Sequence, residues 1–213
     1  MRKMCGPPQH ARSEAGLFHK PLAVFVFLAS LMAASTAAAH DGTGLVGGFV
    51  SGFLHPLNGP DHMLAMVAVG LWGAILGRPL LVALPVVFPV MMAVGGVLGI
   101  VGIPMPSVEI GIGASVLVLG GSIAFGWKPS ISVAVLLVAA FAVFHGYAHG
   151  QELPSAADPV GYSVGFVLST GLLHVVGILI GVMAERVGGL RVIKSLGGMI
   201  GLAGAWFLIK ALT

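Results

Sequence analysis

His55-Pro56-Leu57-Asn58-Gly59-Pro60-Asp61-His62 separates two hydrophobic stretches, 44–57 and 60–77, and whether these make one membrane crossing or two decides the topology of the chain. Pro56 disfavours continued helix at His55, and Pro60 suits the first turn of a new helix capped by Asn58 or Gly59. The reading is therefore a broken or re-entrant helix at 44–60. Freed backbone at membrane depth is tolerated only against protein or a water-filled cavity, and ionisable groups there are costly enough to imply a function.

The surrounding composition sets the class. With 57% hydrophobic and 8% charged residues among 213, the chain is a polytopic membrane protein, since soluble domains carry about a quarter charged residues. Arg2, Lys3, Arg12 and Lys20 precede an apolar run from Leu22 to Ala34, followed by Ala37-Ala38-Ala39. That order predicts a secretory signal peptide over 1–39, cleaved before His40, and a single transmembrane domain over 40–213. Cleavage leaves six basic and six acidic residues, so the net charge of +3 gives no reason to expect nucleic acid. The single cysteine, Cys5, leaves with the leader, so any metal site must use nitrogen and oxygen ligands.

Further hydrophobic stretches run at about 80–102, 108–126, 131–148, 160–184 and 195–212. Arg78, Lys128 and the Arg186/Arg191/Lys194 cluster should face the cytoplasm, and the loops with Glu109 and with Glu152 and Asp158 should face outward. A cleaved leader puts His40 outside while Arg78 is inside, so 40–78 crosses once in net. The expected fold is an all-α bundle of about six crossings, with both mature termini outside. Glycines four apart, such as Gly48/Gly52, Gly95/Gly99 and Gly197/Gly201, suit close helix packing. A weak echo links 48–55 to 165–174, as an internal repeat or as chance likeness between glycine-rich helices. Trp72, Trp127 and Tyr162 lie near span ends and read as interfacial anchors.

Two polar sets stand out. In the first, a turn between His55 and His62 could bring His55 back to Asp61 and His62 as a compact three-ligand site. In the second, His145 and His149 lie four apart on one helical face, the spacing that chelates one ion, and Glu152 could add an oxygen. His174 stands alone in its span, as a candidate metal residue further along the path or as a histidine that hydrogen-bonds a neighbouring helix. His149 and Glu152 lie near the expected interface, where solvation is cheap. His40, at the new N-terminus beside Asp41, could capture metal or be an ordinary polar stub. Imidazoles with carboxylates suit Ni²⁺, Co²⁺ or Zn²⁺ rather than Ca²⁺, Mg²⁺ or Cu(I).

The His-x5-Asp-His segment at 55–62, the Phe-His-Gly-x-Ala stretch at 144–148 and the leader ending before a histidine resemble the HupE/UreJ group of hydrogenase and urease accessory proteins, regarded as nickel permeases. The resemblance covers essentially the whole chain. It implies secondary uptake of nickel as transported substrate across the bacterial inner membrane, with the mature N-terminus periplasmic, no prosthetic group, and delivery to nickel-enzyme maturation proteins. It also implies metal-handling roles for His55, Asp61, His62 and His145. The ligand set alone would accept cobalt, and a homo-oligomer is left open.

Other classes fit less well. An intramembrane zinc hydrolase could use the same His/Asp cluster, but no separate general base or nucleophile pair is evident. A haem cytochrome needs axial histidines on opposite sides of a ring, which these spacings do not supply. No Gly-x4-Gly-Lys-Ser/Thr motif is present for direct ATP coupling.

Overall fold

The computed structural model describes residues 45–152 and 158–213, so the expected signal peptide, Cys5 and His40 lie outside the described residues. Among those described there are six helices and no strands: α1 (Leu45–Asn58), α2 (Pro60–Leu76), α3 (Leu80–Val101), α4 (Val108–Phe125), α5 (Ile131–Glu152) and α6 (Pro159–Leu212). The 54 residues of α6 would reach about 80 Å if straight, far beyond a bilayer core of about 30 Å. The helix breaks at Gly189, whose φ of 58° and ψ of −148° are not helical. Its arms, 159–188 and 190–212, pack on different partners. Hydrogen-bonded helix thus continues to both sides of that glycine, through charged residues expected to form a loop. Asp158 starts α6, its Oδ1 accepting from Val160 N at 3.0 Å and Gly161 N at 3.2 Å, with Pro159 in the first turn.

α1 and α2 meet at 81°. Both nevertheless advance in the same direction along 159–188: Gly161 and Gly165 abut Leu45, Phe49 and Phe53, while Gly177 and Gly181 abut Val67, Leu71 and Ala74. The pair is therefore one broken crossing, not a re-entrant hairpin. With α3, α4, α5 and the two arms of α6, the bundle has six crossings. The break itself differs from expectation. Pro56 lies inside α1, and the helix runs on to Asn58 before breaking at Gly59, the N-cap of α2.

α3 runs parallel to α5, with Gly95 on Val143 and Gly99 on Tyr147, and α4 runs antiparallel to 190–212, with Gly113 on Leu208 and Gly120 on Gly201. A Cβ at these glycines would strike facing backbone, so their lack of a side chain sets the helix separation. The two segments joined by the sequence echo prove to be packing partners: Gly52 lies on Tyr162, and Gly165 on Phe49. Exchanging the first three crossings for the last three carries this pairing scheme onto itself, as an inverted repeat would.

Trp72 and Tyr162 are not interfacial anchors. Trp72 is fully buried, stacks on Trp127 with ring centroids 6.0 Å apart and donates from Nε1 to the Trp127 carbonyl at 3.3 Å. Tyr162 is 6% exposed, whereas Trp127 is 44% exposed and retains the anchor reading. A span end can be core when neighbouring helices cover it, which no single helix reveals.

Candidate metal site

The break between α1 and α2 places His55 at the last turn of one helix and Asp61 and His62 at the first turn of the next. Opposite them, α5 continues to Glu152, beyond its expected end at 148. It thereby carries His145, His149 and Glu152 on one face. His55 does not return to Asp61 and His62 as a three-ligand site. It goes to α5: His55 Nε2 lies 2.8 Å from Glu152 Oε2, and His149 Nδ1 lies 3.6 Å from the same oxygen. The candidate ligand atoms of His55, His149 and Glu152 all fall within 4.8 Å of one another, the one such group among the described residues.

His149 also belongs to a deeper set. Its ring centroid is 4.8 Å from that of His55 and 4.5 Å from that of His62, which in turn is 4.7 Å from His145. The four imidazoles form a file of nearly equal steps, with Glu152 at one end and His145 at the other. The cheap solvation expected of His149 is absent, since it is only 8% exposed and sits mid-file; the Glu152 side chain is 55% exposed. Phe166 from α6 closes one side, 4.4 Å from His149.

Hydrogen bonds orient the inner rings. The Asp61 carboxylate accepts from His62 N at 2.8 Å and from His62 Nδ1 at 2.9 Å. Nδ1 therefore carries a proton, so in the neutral ring Nε2 holds the lone pair, and Nε2 is buried without a protein partner. Ser115 Oγ donates to the Ile112 carbonyl at 2.6 Å, so toward His145 Nε2, at 2.8 Å, it acts as acceptor. That leaves His145 Nδ1 with the lone pair, also buried and unpartnered. A carboxylate or hydroxyl that fixes a ring's tautomer in this way is the usual support of a metal-ligating histidine. Asp61 thus contacts His62 as its orienting partner, rather than standing as a third ligand beside His55. Ser115 was not singled out by sequence, since one serine in an apolar helix carries no signal until its neighbour is known.

Two openings approach the file. A cavity of about 290 Å³ is walled by Pro60, Asp61, Glu109 and Lys210 and leads to the carboxylate of Asp61. A second, of about 220 Å³ and mostly apolar, reaches His149 between Met92, Gly96, Gly146 and Phe166. His174 lies apart from the file, 1% exposed, with both ring nitrogens unpartnered. Phe88 touches both it and the file, with its ring centroid 5.5 Å from His145 and 5.3 Å from His174.

Comparison with known proteins agrees with the sequence. Residues 28–207 match the family model described as HupE / UreJ protein. The chain is 43% identical over 182 residues to Protein HupE of Rhizobium leguminosarum bv. viciae, covering 85% of this chain and 95% of that one. No solved structure matches.

Proposed function

Starting from the fact that the chain belongs to the HupE/UreJ family, we propose that it is a permease, not an enzyme, importing divalent nickel, with cobalt as the nearest competitor, across the bacterial inner membrane. The observation that carries this reading is the file of four imidazoles, stepping by 4.5 to 4.8 Å from Glu152 to His145. A closed cage would trap an ion. Sites sharing a ligand let it move on, because one imidazole can be engaged before the previous one is released. His149, common to the outer and inner sets, is the natural exchange point.

In this account Glu152 and His55 collect the ion on the outer side, together with His40 if the leader is cleaved before it. The ion then passes to His149 and on to His62 and His145, whose lone pairs Asp61 and Ser115 hold in place. Arg78, Lys128 and Arg186 would mark the cytoplasmic end, with the mature N-terminus periplasmic. A potential of 100 mV, inside negative, favours inward movement of a divalent cation by about 4.6 kcal/mol, from about 2.3 per charge. Nickel-enzyme maturation proteins would receive the metal.

Uptake of ⁶³Ni into proteoliposomes tests the reading, with His62→Ala and His145→Ala alongside wild type and with cobalt and zinc as competitors. Wild-type uptake that is lost in both folded variants supports a nickel path through the file; wild-type uptake retained in both refutes it. Protons compete for the same lone pairs, so uptake should fall as the medium is acidified.

A further inference from the structure

Beyond the file, the first half of α6 carries buried polar groups that nothing described so far employs, His174 and Thr170 among them. His174 and Thr170 are one turn apart on one face. They are 1% and 0% exposed, and neither His174 nitrogen nor the Thr170 hydroxyl has a partner. Buried polar atoms are nearly always paired, so three orphans on one helical face call for a guest that supplies the missing contacts. An imidazole lone pair and a hydroxyl oxygen, with retained waters, make a weak site for a borderline divalent cation.

Phe88 lies against both His174 and the file. It is fully buried, and its ring leans on His145 and on His174 alike, nearly perpendicular to the latter at 81°. A divalent ion cannot cross a dry phenyl contact, and apolar constrictions of this kind gate channels by excluding water. Phe88 also occupies a special place in α3, between Pro85 and Pro89. Each proline removes a backbone donor from the helix ladder, so that segment is the one best able to bend.

We propose that His174 and Thr170 form a second, inner cation station, and that Phe88 is the gate between it and the imidazole file, opening by movement of α3 about Pro85 and Pro89. The inference deepens the uptake reading and rests on it for the identity of the cargo, but its geometry is tested separately.

The test uses full-length chain in oriented vesicles, with Cys5→Ser removing the single native thiol and Thr170→Cys as reporter. A small cationic methanethiosulfonate is added on the Glu152 side. With Phe88 present, labelling should be slow. With Phe88→Ala, or with Phe88→Leu if the larger deletion fails to fold, it should accelerate at least ten-fold. In the opened variant, where the reporter sulfur takes the place of the Thr170 oxygen beside His174, nickel should slow labelling, and His174→Gln should abolish that protection. In the native chain, His174→Gln should cut nickel uptake at least ten-fold while equilibrium nickel binding stays within two-fold. Equal labelling with and without the phenyl ring would overturn the gate, and protection that survives His174→Gln would overturn the station. If wild type imports no nickel yet both labelling contrasts appear, gate and station stand and the cargo reading falls. If nickel is imported and the contrasts are missing, the reverse holds.

Discussion

Gly59 and Gly189 each interrupt a helical stretch, yet the first interruption assembles a site while the second only turns the chain. Gly59 has φ −96° and ψ 101°, extended backbone that other residues adopt, and its neighbour Pro60 does the breaking. What Gly59 supplies is room: a Cβ there would lie 3.3 Å from both Asp61 Oδ1 and His62 Nδ1. Gly189 is the opposite. Nothing lies within 4 Å of where its Cβ would be, but its φ of 58° with ψ of −148° is reserved for glycine. The lesson is that a break inside the bundle is held by its neighbours and can position chemistry, whereas a break among the exposed residues 185–188 is held by its own backbone.

That contrast can be attacked from both sides. Ser115→Ala, on the site facing the first break, frees His145 to rotate or change tautomer and should weaken nickel affinity by about 10–100-fold, with Ser115→Thr restoring most of it; calorimetric titration would read both. Unchanged affinity in Ser115→Ala would remove the hydroxyl from the account. Gly189→Ala should lower stability by about 1–3 kcal/mol through backbone strain, while nickel affinity of the folded fraction stays at the wild-type value. Thermal unfolding paired with that titration separates the two, and a matching loss of affinity would mean the second break also shapes the site. The smallest effect is expected of Gly59→Ala: unfolding barely moves, and nickel affinity falls a few-fold as the methyl presses on the Asp61–His62 pair. A large stability loss with normal affinity would invert the comparison.

Much of the fold was legible because membrane segments obey strong local rules. Apolar length gave the crossings, Pro60 gave the break, and alternation of Arg78, Glu109, Lys128 and Glu152 along the chain gave a consistent order. The site was legible as a list of residues but not as a grouping. His55 and His62 are close in sequence, so a local three-ligand site is the economical reading; the 81° bend instead turns His55 to Glu152 and His62 to His145, with His149 shared between them. Which imidazole shares with which depends on the parallel packing of α1 and α2 on α6, and that follows from glycine contacts between distant helices. Ser115 and Phe88 were invisible for the same reason. A serine and a phenylalanine in apolar helices acquire meaning only from the histidines that tertiary packing sets against them.

His149 is where the outer and inner sets join, so it tests the central claim most directly. Uptake of ⁶³Ni and the unfolding temperature should be measured on one His149→Ala preparation. The account predicts a protein that unfolds near the wild-type temperature yet loses more than about 100-fold of its uptake, beyond the ~10–100-fold typical of removing a group that only orients a ligand. Uptake within a few-fold of wild type in that folded protein would contradict it, because the file would then have lost its middle without consequence.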